Sequence, residues 1–164
     1  MIRITVIGSS GSISAEIYRK AEKVGQEIAK RKGVLITGGK DGVMQAVSKG
    51  AKDMHGTTIG ILAEDTASAA NPFVDIAIAT GIGYARNYLN IVSSDAVISI
   101  AGSGGTLSEI GFAIALQKKL ILLKGTGGVT DMIVQHRSLF PGAEIYHAET
   151  SEEAVTLAFS ERDR

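Results

Sequence analysis

The chain has 164 residues, 45% hydrophobic and 21% charged, enough for one domain with a buried core. Lysine plus arginine equals aspartate plus glutamate at 17 each and no basic run occurs, which argues against a general nucleic-acid surface. Cysteine is absent, excluding disulfides, thiolate nucleophiles and cysteine-ligated metals.

Met1 leads directly into residues 2–7, a short β-branched strand ended by Gly8-Ser9-Ser10-Gly11. Residues 14–31 predict a helix: Ile17, Ala21, Val24, Gly25 and Ile28 share one stripe, with Arg19, Glu22, Lys23, Gln26 and Lys30 outside it. Val34 to Thr37 is a second strand, stopped by Gly38-Gly39. Asp41 is placed to cap the next helix, whose apolar face is Val43, Met44 and Val47. Thr57 to Leu62 is a third strand and residues 63–72 a loop ending at Asn71-Pro72. Phe73 to Ala79 is a fourth strand, followed by Thr80-Gly81-Ile82-Gly83 and a helix carrying Tyr84, Arg86, Asn87, Asn90 and Ile91. Asp95 to Ile100 is a fifth strand and runs into Gly102-Ser103-Gly104-Gly105 and a further helix. Leu120 to Leu123 is a sixth strand and Glu144 to His147 a seventh, with helices near 129–137 and 151–160. Thr150 and Glu153 have capping-box spacing at the last one.

Strands alternating with helices, and apolar runs such as Leu120-Ile121-Leu122-Leu123, predict an α/β fold. The expected architecture is a Rossmann-like, doubly wound, mostly parallel sheet of about seven strands with helices on both faces. Residues 1–164 read as a single nucleotide- or phosphate-binding domain. No signal peptide and no run of membrane-spanning length is seen, so a cytoplasmic protein without membrane contact is expected.

The glycines follow strand ends. In an open α/β sheet those carboxyl ends share one edge, where ligands bind. The candidate ligand-binding residues are therefore Gly8, Ser9, Ser10, Gly38, Gly39, Gly81, Gly102, Ser103, Gly104, Gly105 and Thr106. A dinucleotide fingerprint fails, because the first loop is one glycine short and the second strand ends without an acid. Gly33 to Lys40 is one residue too long for a P-loop. His55, His136 and His147 lack ligand spacing, so no metal and no cofactor is predicted. What remains is a phosphorylated small molecule held at helix N-termini. Arg86 is the natural cation beside them. Glu109 is open to two readings. Thr106-Leu107-Ser108-Glu109 has the capping-box form, yet a carboxylate at that place can instead serve cleavage at a ribose C1′.

Ala101-Gly102-Ser103-Gly104-Gly105-Thr106-Leu107-Ser108-Glu109, with Arg86 upstream, resembles the hallmark P-G-G-x-G-T-x-x-E of the lysine-decarboxylase-like family. That family includes LOG-type cytokinin riboside monophosphate phosphoribohydrolases and molybdenum-cofactor carrier proteins. Asn71-Pro72 to Arg86-Asn87 is similar to its short, carrier-like branch. The family proline is Ala101 here, the second glycine is Ser103, and the lysine that often follows the hydrolase arginine is Asn87. The resemblance implies a Rossmann-like homodimer or higher homo-oligomer with a phosphate-ribose pocket. It also implies Arg86 and Glu109 as a catalytic pair if the chain is a hydrolase, and a carrier of phosphorylated pterin or nucleotide if it is not. No pyridoxal-phosphate lysine motif supports a lysine decarboxylase. The helix from Leu107 to Leu116 is apolar nearly all round (Ile110, Phe112, Ala113, Ile114, Ala115), so one face needs a partner, either a second subunit or the chain's own terminal helix.

Overall fold

The computed structural model describes residues 1–161. Seven strands, β1 (Arg3–Gly8), β2 (Val34–Thr37), β3 (Thr57–Leu62), β4 (Ile76–Ala79), β5 (Ala96–Ile100), β6 (Lys119–Leu123) and β7 (Ile145–Ala148), form one sheet in the order β4-β3-β2-β1-β5-β6-β7. Every neighbouring pair is parallel. The helices are α1 (Ala15–Lys30), α2 (Val43–Asp53), α3 (Arg86–Val92), α4 (Gly104–Ala115), α5 (Gly128–Gln135) and α6 (Ser151–Phe159). The chain starts in mid-sheet, winds out to β4, then crosses back to lay β5 beside β1. The order of winding reverses between β1 and β5, which is where such sheets open a crevice.

Side-chain alternation along the strands builds two cores. Ile4, Val6, Leu35 and Ile98 pack with Val24 and Ile28 of α1, Val47 of α2 and Val155 of α6. Ile7, Val97, Leu120 and Leu122 pack on the opposite face with Ile91 of α3, Ile110 and Ala113 of α4, and Ile133 of α5. The α6 helix therefore covers the face remote from α4, so of the two covers expected for the apolar α4 the chain's own terminal helix is excluded. Ile110 and Ala113 are buried on the sheet, whereas Leu107, Gly111 and Ala115 face outward.

Among the described residues the β4 edge of the sheet is left exposed on the α3 side. Thr5, Ile36, Ile59 and Ile76 are in register, and Thr5 Oγ1 donates to the Asn90 carbonyl of α3 at 2.7 Å, so these residues point to the α3 side. Ile76 and Ile78 there are about half exposed.

Two local expectations change. The fourth strand begins at Ile76, not Phe73, because Asp75 turns its carboxylate back onto the Thr58 amide at 3.0 Å and Asn71 Oδ1 accepts from Phe73 N at 3.0 Å. Asp41 does not cap α2: Gly42 stands at the cap position, and Asp41 Oδ1 accepts instead from the Gly11 amide at 2.9 Å, tying the β2 loop to the β1 loop. At α6 Thr150 caps as predicted, its Oγ1 accepting from Glu153 N at 3.1 Å, while Glu153 Oε2 reaches past the cap residue to accept from Glu149 N at 2.8 Å. Among the described residues no helix is long and apolar enough to cross a membrane.

Candidate functional site

At the end of β5 the backbone turns sharply. Ala101 adopts φ +53° and Gly102 φ +95°, both left-handed. The turn is pinned on both sides. Ala101 N donates to Thr126 Oγ1 at 2.9 Å, Thr130 Oγ1 donates to the Ala101 carbonyl at 2.7 Å, and Gly102 N donates to Ser9 Oγ at 2.8 Å. A side chain at Gly102 would lie 2.3 Å from Thr106 Oγ1, so glycine is required there for space as well as for φ. A proline at Ala101 would need φ near −65° and would lose the bond to Thr126. The alanine that replaces the family proline thus matches the path this loop takes.

The α4 helix begins at Gly104, and Leu107 N to the Ser103 carbonyl (2.9 Å) is its first helical bond. The amides of Gly104, Gly105 and Thr106 precede that bond and are the unpaired positive end of the helix. This overturns the capping-box reading of Thr106 and Glu109. Ser103, not Thr106, occupies the cap position; Thr106 is the third helical residue and Glu109 the sixth. Glu109 turns inward, is 8% exposed, and its Oε1 accepts from Asn90 Nδ2 at 2.9 Å. Burial pushes its carboxyl up to about 7, opposed by the Asn90 hydrogen bond and the Arg86 charge.

Arg86 opens α3 and is buried. Its Nη1 donates to the Ile61 carbonyl at the end of β3 at 3.0 Å, and its Nε has no hydrogen-bond partner. The guanidinium occupies space that Gly38 leaves free: a Cβ there would lie 1.7 Å from Nη1. Burial lowers the pKa of Arg86, and the Glu109 and Glu64 carboxylates act against that shift. Lys40 Nζ pairs with Glu64 Oε1 at 2.5 Å across the β2 and β3 loops, holding Glu64 below its usual range. Asn87 Nδ2 donates to Ser108 Oγ at 2.9 Å, joining α3 to α4 beside the site.

These groups border one cavity of about 480 Å³ at the carboxyl edge of the sheet. Of the predicted site residues, Gly8, Ser10, Gly38, Arg86, Ser103, Gly105, Thr106 and Glu109 line it. Ser9, Gly39, Gly81, Gly102 and Gly104 stand outside the wall. Ser9 locks the β1 and β5 loops together, Gly39 (φ +73°) packs on Leu62, and Gly81 (φ +66°) lies against Asp65. Gly102 shapes the turn, and Gly104 is exposed at the start of α4. Lys40, Glu64 and Asn87 line the cavity without having been singled out for it. Lys40 and Glu64 lie 24 residues apart, and only the parallel pairing of β2 with β3 brings their loops together. Among the described residues no cluster of histidine, aspartate and glutamate is arranged to hold a metal ion.

Fold and cavity together define a Rossmann-like α/β protein that opens its crevice at the switch between β1 and β5. The chain belongs to the SLOG cluster4 family, whose model matches residues 1–155. It is 40% identical over 160 residues to an uncharacterized protein of Archaeoglobus fulgidus, covering 98% of this chain and 96% of that one. It is similar to the molybdenum cofactor binding protein of the phototrophic bacterium Rippkaea orientalis, with 36% identity and a TM-score of 0.85 over 95% of this chain and 94% of that one. The molybdenum cofactor carrier protein of Chlamydomonas reinhardtii matches at 32% identity and a TM-score of 0.83, covering 95% of each chain.

Proposed function

We propose that this chain holds a phosphorylated pterin- or nucleotide-type small molecule in the β1–β5 cavity, as a carrier similar to the molybdenum-cofactor proteins. One observation carries the reading: the unpaired amide end of α4, the buried Arg86 guanidinium and the Glu109 carboxyl border the same cavity. The Gly105 and Thr106 amides suit a phosphate, which the helix dipole also favours. Arg86, on the cavity wall, supplies the cation. A volume of about 480 Å³ suits a cofactor-sized molecule. The identities of 36% and 32% to proteins named for molybdenum cofactor support a pterin over other phosphorylated ligands.

A second reading, a nucleoside 5′-monophosphate phosphoribohydrolase, is favoured by Glu109 itself. A carboxyl pushed up to about 7 beside an arginine can give or take a proton near neutrality. In that reading the α4 amides anchor the phosphate and Arg86 fixes the ligand. Glu109 stabilises positive charge developing at C1′ or activates water there.

A homodimer belongs to the same proposal. Tyr84, Tyr88 and Val92 form an exposed stripe along the α3 side, and Leu107 of α4, Ile82, Ile76 and Ile78 are also exposed. A parallel sheet is normally covered on both faces, and a second copy would cover the exposed β4 edge. Sedimentation equilibrium should then give twice the chain mass of 17.1 kDa.

The deciding experiment is calorimetric titration with free molybdenum cofactor and with a panel of nucleoside 5′-monophosphates, with chromatography for released base. Tight binding without base release supports the carrier. Base release that Glu109→Gln abolishes supports the hydrolase. Binding of none of these ligands overturns both readings.

A further inference from the structure

Asn90 is 1% exposed, deep between α3 and α4, and only half of its side-chain amide is used. Nδ2 donates to Glu109 Oε1 at 2.9 Å, while Oδ1 has no partner. The main chain of Asn90 is fixed by Thr5 Oγ1, which donates to its carbonyl at 2.7 Å, so the side chain cannot drift from Glu109 without α3 moving off β1. An unpaired buried acceptor is costly, and an apolar side chain of the same branching, leucine, would not carry it. The amide therefore has a use that packing does not explain.

A carboxylate asks its neighbour for a donor, and a carboxylic acid asks for an acceptor. An asparagine side chain carries one of each, exchanged by a half-turn of its terminal torsion. We infer that Asn90 is the positioning residue of the Glu109 carboxyl, holding it through Nδ2 when it is ionised and through Oδ1 when it is protonated. The same contact then survives proton transfer, and Glu109 keeps its aim into the cavity in both states.

The surroundings make both states reachable. Burial favours the acid form, and Arg86 at the start of α3 favours the carboxylate. Lys40 and Asp41 from the β2 loop, Glu64 from the β3 loop and Tyr84 from the turn before α3 face the same cavity, with Lys40 paired to Glu64. The β1 wall adds Val6, Ile7 and Gly8 and no charge.

The inference rests on Glu109 facing the ligand, as proposed above, but its test uses protein without ligand, so failure to find a ligand leaves it separately decidable. Carbon-13 NMR of the Glu109 carboxyl, assigned by its loss in Glu109→Gln, should titrate near 7 in the wild type. The Asn90 side-chain NH₂ resonances should shift with the same midpoint and become independent of pH in Glu109→Gln. In Asn90→Leu the Glu109 midpoint should rise by roughly one pH unit, because the charge-assisted bond lost from the carboxylate is stronger than the neutral bond lost from the acid. Asn90→Ser, too short to span the gap, should raise it similarly and serves if the leucine variant does not fold. Asn90→Asp should make the pair titrate in two separated steps. A solely structural Asn90 would lower the melting temperature of these variants and leave the Glu109 midpoint within about 0.2 of the wild type. That result, or Asn90 NH₂ signals that ignore pH, overturns the inference.

Discussion

Replacing Glu109 by glutamine should remove a penalty that the wild type acquires as pH rises. The carboxyl is 8% exposed, and burial is the largest influence on it, placing its pKa at about 7 against an ordinary 4.5. That gap corresponds to about 3 kcal/mol, from roughly 1.4 kcal/mol for each tenfold change in proton affinity. The sign follows from proton counts. Between pH 4.5 and 7 the folded chain holds the proton and the unfolded chain has lost it, so stability falls as pH rises through this window. Below 4.5 both states are protonated, and above 7 the full loss has accrued. Glutamine keeps a donor and an acceptor for Asn90 but never ionises. The stability of wild type minus that of Glu109→Gln should therefore drop by about 3 kcal/mol from pH 4 to pH 8, or about 6–12 °C in Tm for a chain of this size. Scanning calorimetry or urea unfolding of both proteins at several pH values measures it. Taking the difference cancels Glu27, Asp75 and Asp95, whose partners hold them below their usual range and whose stability runs the opposite way with pH. Parallel pH profiles for the two proteins would refute the reasoning, because they would mean that Glu109 ionises as freely in the fold as in water.

Gly38→Ala should displace Arg86, since the added methyl falls 1.7 Å from Nη1. Affinity for free molybdenum cofactor or a nucleoside monophosphate should fall at least tenfold, about 1.4 kcal/mol, while the fold is kept; unchanged affinity in calorimetry counts against Arg86 as a ligand contact. Ala101→Pro should cost about 3 kcal/mol or more, through φ and through the lost bond to Thr126. Ala101→Gly should instead gain up to about 1 kcal/mol by relieving a left-handed alanine, and urea midpoints of the pair would expose a wrong loop if the order were reversed.

The sheet was legible because each strand is an apolar run closed by glycine or a polar turn. Residues 34–37 and 57–62 are strands over those spans, and a parallel α/β fold follows from the alternation of elements. Arg86 was legible by its place after a strand-end glycine loop. Glu109 does line the cavity at the start of α4, but its local role is not decidable from T-x-x-E. The match fits a helix starting after Thr106, whereas Ala101 and Gly102 turn left-handed and let Gly104 begin the helix three residues earlier. That rotates Glu109 from the helix start onto the face that meets α3. Asp41 failed for a related reason: its side chain found an amide from a different loop, Gly11, which the local capping rule does not see. The Lys40–Glu64 pair and the Asn90–Glu109 contact depend on strand pairing and on α3 packing against α4, and neither leaves a mark at any fixed spacing in the chain.

The central claim is that the ligand's phosphate sits on the amide end of α4 beside Arg86. Nitrogen-15 amide spectra recorded while titrating free molybdenum cofactor, and separately AMP, test it most directly. The account predicts saturable shifts of the Ser103, Gly105 and Thr106 amides and of the Arg86 side-chain Nε–H. Saturable binding that leaves these four signals still while amides elsewhere move would contradict it.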